Sequence, residues 1–593
     1  MSYEENPIKY VCLSDLHLGE EGSILNEKNE DGFAASHVMN NLAECLKSLF
    51  AGDTTIKETR PILILNGDIM DLALGQFEDA TTMFESFMAL IMRKGEEIFN
   101  DTIIFIPGNH DHHIWEMTRE ERYKTNFFDP NNQGPLPVER HTSDMVLRQI
   151  PRSDHKSGIV GGVDSTFLHD LLIRHRFAHD KEKDKFSGDL KVQLFYPCLA
   201  ILSNDQKICA VFHHGHFTEE PYSWISKLNT IFTQKEFPTS LDEMEIENFA
   251  WIDFLWSSLG RSGAPGKTVK RVYKCVKNEK SCDNFLDVIT ANINEKCHIP
   301  FLPGIWLKRM ALKHIVIPAL RGKKTNMDLS PDDDNFVNPD VRSRLSQFIQ
   351  QSWPMIESEI RKPVFNWDGI PKNDKDKIDL LDFLIKNFNI CGHKTARHLV
   401  RYGMAKFEKK DNDRTIMISV EGKSISLKQN DKDEVILELG NGTTIELIVN
   451  YEADKKNIYY RFISDVSLAS LVYGHTHKPF NRIVNLDMGQ GINKSISVYN
   501  TGGWIVDQTE IDKEFGASII LMDHDLNMVY LQVYSEGGLN KILVDSTDKQ
   551  SNFYKYIMEK KGIADSPNIW TELKDSAKNE YEEKAEYLRK QLK

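Results

Sequence analysis

Asp15-Leu16-His17, Gly67-Asp68-Ile69-Met70-Asp71, Gly108-Asn109-His110-Asp111, His213-His214-Gly215-His216 and Gly474-His475-Thr476-His477 are short stretches rich in carboxylate, amide and imidazole side chains. Donors of these types suit hard or borderline metal ions. Two ions held close together need several anionic oxygens and imidazoles, with one ligand shared between them. Such a pair can clamp an in-line displacement at phosphorus. Asp15 and His17 alternate across an extended segment, so both point to the same side. A single Asp-x-His or Gly-His-x-His is weak, because a lone histidine is usually structural. The full set of blocks in one order, each placed after a strand, is hard to obtain by accident.

The elements that must position these blocks are legible. Lys9–Leu13, Pro61–Leu65 and Thr102–Ile106 are apolar runs that read as buried strands. Apolar residues at helical spacing fill Ser36–Leu49, and Phe77–Phe99 reads as a long helix. Strand, helix and strand in this alternation predict βαβ units, whose ligand sites lie at the carboxyl ends of the strands. Lys191–Leu202 and Lys207–Phe212 read as a hairpin joined at Ser203-Asn204-Asp205, and its second strand delivers the histidine-rich block. Leu468–Tyr473 leads into the last block, and Ser495–Tyr499 into Asn500-Thr501-Gly502-Gly503-Trp504. Ser518–Met522 and Met528–Tyr534 form a closing hairpin.

With 593 residues the chain exceeds one ordinary core, so two or three domains are expected. A net charge of −15 argues against a nucleic-acid footprint over the whole molecule. No apolar run approaches bilayer length, and Met1–Glu5 does not begin a secretory signal. Eight cysteines are sparse for this length and fit a reduced, cytoplasmic protein.

Between His216 and Gly474 the interval is too long for a loop. The expected organisation is a core over 1–216, an inserted cap over 217–462, a second core segment over 463–540 and a helical tail over 541–593. The cap is helical at first, basic over 261–324, and a β meander over 413–450. The basic part holds 14 Lys and Arg against 4 acids, a net +10 inside an acidic chain. It reads as a solvated face, as an attractor for a phosphate-rich substrate, or as an anionic-membrane contact through 305–320, where Trp306 sits among cations. Cys275, Cys282, Cys297 and His298 lack a Cys-x-x-Cys pair and read as ordinary residues. In the tail, Ile569, Leu573, Ala577, Tyr581 and Leu588 make one apolar stripe after Ser566-Pro567, the mark of a docking helix.

The blocks, in their order, resemble the signature motifs of the calcineurin-like metallophosphoesterases. Asn500-Thr501-Gly502-Gly503 resembles the segment that follows the last of them. The resemblance covers roughly the first third of the chain and a stretch near 460–540, not the insertion or the tail. It implies an α/β fold, a four-layer α/β/β/α sandwich, here with a large mixed helical and β-meander insertion. It implies that Asp15, His17 and His477 hold one divalent metal, that Asn109, His214 and His475 hold a second, and that Asp68 bridges them. Manganese is the first expectation for the ions, with iron or zinc next. The resemblance further makes His110 the general acid, Asp71 the carboxylate that orients it, and a bridging hydroxide the nucleophile. His213, His214 and His216 compete for one position; His214 is favoured because the family ligand precedes the glycine. His112 and His113 either face substrate or lie on the surface.

The function expected is hydrolysis of phosphate esters or anhydrides, with a phosphorylated small molecule or nucleotide as substrate. Asp15-Leu16-His17-Leu18-Gly19 is similar to the first block of both bacterial UDP-diacylglucosamine pyrophosphohydrolases and DNA-repair nucleases of this superfamily. His110 stands where the lipid-A enzymes typically carry arginine, and the acidic charge weighs against a duplex nuclease. Nucleic acid therefore stays open as a partner. The alternative of another class is a non-catalytic scaffold that recruits proteins through its insertion and C-terminal helix. It is disfavoured because no ligand position is lost.

Overall fold

The computed structural model describes residues 7–30, 32–50, 60–127, 141–151, 157–173, 185–218, 226, 230, 236–252, 339–360, 364–365, 377–378, 380–381, 384–385, 396–410, 415–420, 423–429, 435–438, 444–449, 460–461, 466–506, 516–535, 542–560, 563 and 568–591. The basic segment 261–324, its cysteines, the 305–320 stretch and Ser566-Pro567 lie outside these residues.

Tyr10–Leu13, Ile62–Asn66 and Thr102–Ile106 pair in parallel at the middle of an eight-stranded sheet. Lys191–Leu194 and Val163–Asp164 extend it on one side. Gly516–Met522, Met528–Ser535 and Leu543–Asp545 extend it on the other. A second, seven-stranded sheet runs in the order Phe480–Asp487, Asn493–Asn500, Ser467–Tyr473, Ile208–His213, Cys198–Leu202, Val146–Pro151, Ser157–Val160. Ser467–Tyr473 and Ile208–His213 are parallel neighbours, so their two histidine blocks emerge side by side.

Alternation along each strand builds the layers. Tyr10, Cys12, Ile62 and Ile64 point toward the second sheet and pack with its Leu199, Ile201, Phe212 and Val472. Val11, Leu13, Leu63 and Leu65 point outward, beneath helices His37–Ser48, Phe77–Ile91 and Ile569–Gln591. On the outer face of the second sheet, Val211, Leu471 and Val498 share a core with Leu241, Met244, Leu345 and Phe348. Those last four belong to helices Leu241–Ile252 and Pro339–Ile360. The result is an α/β sandwich of the expected layering, and two helices from the long interval supply its fourth layer. A separate seven-stranded sheet contains the meander strands Thr415–Val420, Lys423–Gln429, Val435–Glu438 and Thr444–Val449. Ala405–Lys410, Val364–Phe365 and Tyr460–Arg461 complete it. No helix among the described residues is long and apolar enough to cross a membrane.

Two elements differ from the sequence reading. The helix from Phe77 stops at Ile91 instead of reaching Phe99. Met92 leaves the helical conformation at φ −129° as the C-cap, and Gly95, at φ +85°, then turns the chain. The single strand expected over Lys191–Leu202 is two strands in different sheets. Lys191–Leu194 pairs with Thr102–Ile106, while Cys198–Leu202 pairs with Ile208–His213. Pro197 stands between them at the crossing and has no N–H for a ladder.

The C-terminal stripe docks within the molecule. Trp570, Leu573, Ala577, Tyr581, Ala585 and Leu588 are buried in the same cluster as Val38, Leu42 and Leu46 of His37–Ser48. This stripe is therefore not a face for recruiting other proteins. Trp570→Ala should destabilise the whole sandwich by about 3–5 kcal/mol, the usual cost of deleting a large buried aromatic. Urea denaturation checks this. A change within error would mean that the helix is not part of the cooperative core.

Candidate metal centre

The blocks meet where strand ends from the two sheets converge. Beyond the first two strands the backbone pairing continues through the turn: Asp15 N–H donates to Gly67 O at 2.9 Å and His17 N–H to Asp68 O at 2.9 Å. Those turns are tight. Asp15, His17, Asp68, His475 and His477 have φ between +46° and +67°. Asp and His enter this left-handed region more readily than most residues. Gly474 packs its backbone against Asp15 and Ser14, and a methyl group there would strike the Asp15 carboxylate.

Three groups of ligand atoms form, each within 4.8 Å: Asp15, His17 and His477; Asp68, His214 and His475; and His17, Asp68 and His110. In the first, His477 Nε2 lies 3.2 Å from Asp15 Oδ1 and 3.3 Å from His17 Nε2. In the second, His214 Nε2 lies 3.1 Å from Asp68 Oδ2, from His475 Nδ1 and from Asn109 Oδ1. Asp68 Oδ2 is also 3.7 Å from His17 Nε2, so this oxygen faces both groups. His213 and His216 stay out of the cluster. Both are buried; His213 packs against Phe217, Phe348 and the His216 ring, and its Nδ1 accepts from Gly215 N–H. Burial holds both imidazoles well below their ordinary range, with neighbouring histidines adding to the effect.

Asp71 lies between two histidines. Its Oδ2 accepts from His17 Nδ1 and His110 Nδ1, both at 3.0 Å. Its Oδ1 accepts from Leu74 N–H at 2.6 Å. It therefore orients a residue of the first cluster as well as His110. Burial alone would raise the Asp68 and Asp71 carboxyls. For Asp68 the His214, His110 and His17 imidazoles outweigh it, and for Asp71 those of His110 and His17. Both stay well below the usual carboxylate range. The reverse holds for His214: burial disfavours its charge, but Asp68 pushes it up to about 9.

These donors fit divalent cations. His214 Nδ1 is 3.3 Å from Asn66 O, a carbonyl that can take its N–H, so Nε2 is the nitrogen turned toward Asp68, Asn109 and His475. Asp68 favours a positive charge at this point, and a divalent cation held there would supply it in place of the Nε2 proton.

Supporting residues come from outside the ligand set. Asp111 accepts from Gly108 N–H at 2.6 Å and Ile69 N–H at 2.8 Å, tying the second block to the third. Its position after a turn was the available signal, since short acids cap nearby backbone N–H groups. Ser14 Oγ bonds to Asp15 Oδ2 and to Asn66 O. Asn500 Nδ2 donates to Thr476 Oγ1 at 2.8 Å, and Trp504 N–H to Asp15 O at 2.9 Å, so the segment after the last block braces it. His112 neither faces substrate nor lies on the surface. It is fully buried, with Nε2 3.1 Å from Tyr196 Oη, and burial, then Arg119, His113 and His141, push it down to about 3.

Residues 8–240 match the calcineurin-like phosphoesterase family. The calcineurin-like segment carries Asp15, His17, Asp68, Asp71, Asn109, His110 and His214; His475 and His477 lie beyond it. No curated protein and no solved structure gives a significant match. The two Asp- and His-rich clusters are compatible with the dinuclear hydrolytic site typical of calcineurin-like enzymes. Fold and clusters together support a metal-dependent phosphoesterase activity.

Proposed function

We propose that this protein hydrolyses phosphate esters or anhydrides at the paired clusters, with His110 as the general acid. The observation that carries the reading is Asp68 Oδ2 facing both clusters, with His110 N–H on its other oxygen at 2.8 Å. Asp15, His17 and His477 would hold one ion, Asn109, His214 and His475 the second, and Asp68 both. When bound, such ions acidify water and neutralise phosphoryl oxygens. The chain's own residues do the rest. Asp71 fixes the proton of His110 at Nδ1, so Nε2 is the atom that delivers a proton to the leaving oxygen. Asp71 fixes His17 in the same tautomer, which aims His17 Nε2 at Asp15 and His477.

Mixed oxygen and imidazole donors support manganese first, then iron or zinc. A phosphorylated small molecule or nucleotide is the substrate class we favour, and the basic segment 261–324 would attract it to an acidic protein. The buried free thiols of Cys12, Cys45, Cys198 and Cys209 support a reducing, cytoplasmic setting.

Metal analysis under chelator-free conditions should find two divalent ions per chain. A screen of phosphomonoesters, phosphodiesters, nucleotides and nucleic acids with several divalent metals should then find turnover that a chelator abolishes. One bound ion would remove Asp68 from a bridging role. Metal binding without turnover on any substrate would leave a binding scaffold.

A further inference from the structure

The third block is tied to helix Leu241–Ile252, which lies outside the family match. Helix His112–Phe127 starts immediately after Asn109, His110 and Asp111. His112 is its first residue, and its ring meets Tyr196 edge to face, with centroids 5.3 Å apart. Tyr196 lies on the crossing between the two sheets and stacks on Trp115, one turn further along the same helix, at 5.1 Å. Its hydroxyl donates to Glu245 Oε2 at 2.6 Å. A phenol has one proton to give. Because Glu245 takes it, His112 must donate its Nε2–H to the phenol oxygen. Tyr196 and Glu245 are both fully buried, so water does not substitute for these bonds.

Glu245 belongs to helix Leu241–Ile252, whose first residue follows the matched segment 8–240. The same helix makes a second tether: Thr142 Oγ1 donates to Asp242 Oδ1 at 3.0 Å. Thr142 adjoins Ser143, which exchanges backbone and side-chain hydrogen bonds with Tyr196, Ser143 N–H to Tyr196 O and Tyr196 N–H to Ser143 Oγ, both 2.8 Å. The helix thus grips the base of the third block at both ends of one small network.

We propose that Glu245 is a positioning residue for the phosphoesterase site, acting through Tyr196 and His112 on the loop that carries Asn109 and His110. This rests on the reading that His110 is the proton donor. The region after residue 240 then does more than cover the sandwich: it sets the placement of a group in the reaction. Residues that act on a site through packed and hydrogen-bonded neighbours typically change it by roughly 2- to 30-fold.

The test uses the full chain loaded with Mn²⁺ and an aryl phosphate substrate. Tyr196→Phe and Glu245→Leu should lower kcat by roughly 2- to 30-fold with KM little changed, and should weaken Mn²⁺ binding by calorimetry. Glu245→Gln keeps an acceptor for the phenol and should recover most of the loss. In a His110→Ala background at saturating Mn²⁺, where the effect through Asn109 on metal affinity no longer limits the rate, Tyr196→Phe should add almost nothing to the loss of kcat. If Tyr196→Phe turns over and binds Mn²⁺ like the wild type, the proposal is overturned. A deficit of equal size in the His110→Ala background also overturns it, since that is general loosening. If the wild type binds Mn²⁺ but hydrolyses nothing, the phosphoesterase reading fails, and the change in Mn²⁺ affinity alone decides the coupling.

Discussion

His110→Ala should lower turnover by about 10²–10⁴, the range for a lost general acid, while two metals stay bound. The geometry supports a role in chemistry. Asp71 Oδ2 holds His110 Nδ1 at 3.0 Å, and the His110 side chain groups with His17 and Asp68 at the edge of both clusters. The backbone of His110 donates to Asp68, so the side chain can be removed without cutting that bond. The deficit should shrink for substrates with good leaving groups, which need little protonation. Steady-state kinetics across a series of aryl phosphates measures this slope. A uniform deficit would assign His110 to holding phosphate. Loss of one ion would make it a ligand, a role its grouping with His17 and Asp68 would permit.

Asp68→Asn should have a comparable or larger effect for a different reason. Asparagine has nearly the same volume and tolerates the left-handed backbone at φ +51°, so the change removes charge with little change of shape. It leaves both clusters without their common anion. Metal affinity should fall by more than the ~10–100-fold expected for an outer partner. Turnover at fixed Mn²⁺ should fall by about 10³ or more, at or beyond the upper end for removing one electrostatic contributor. Titration calorimetry and kinetics on the same preparation separate the two losses. A variant that still binds two ions with unchanged affinity would sink the bridging role.

The site was largely legible because its residues are packed into contiguous blocks. Apolar runs before Asp15, Asp68 and Asn109 gave away the strands, since buried parallel strands are continuously hydrophobic. The sandwich followed from their alternation with helices. Neighbouring histidines were harder. His213, His214 and His216 differ only in which way the strand end turns, and His214 alone reaches Asp68. Pro197 was a local signal that an apolar run on both sides concealed. The outer layer on the second sheet was not readable, because Leu241–Ile252 and Pro339–Ile360 find that face across long stretches of chain. Glu245 was hidden for the same reason: no local pattern says that a helical glutamate will meet a tyrosine 49 residues earlier.

The left-handed turns under the ligands restrict how this site could change. Residues held in that region are strained by roughly 1–3 kcal/mol each unless their type tolerates it. Asp15, His17, Asp68, His475 and His477 all sit there. A replacement at any of them is therefore judged twice, once as a metal ligand and once as a backbone. Glutamate for Asp15 or Asp68 would keep the donor chemistry and still fit the turn poorly. Glycine would relax the turn and abolish the donor. The repertoire open to drift at these positions is narrower than coordination alone would allow, with asparagine, aspartate and histidine as its few members.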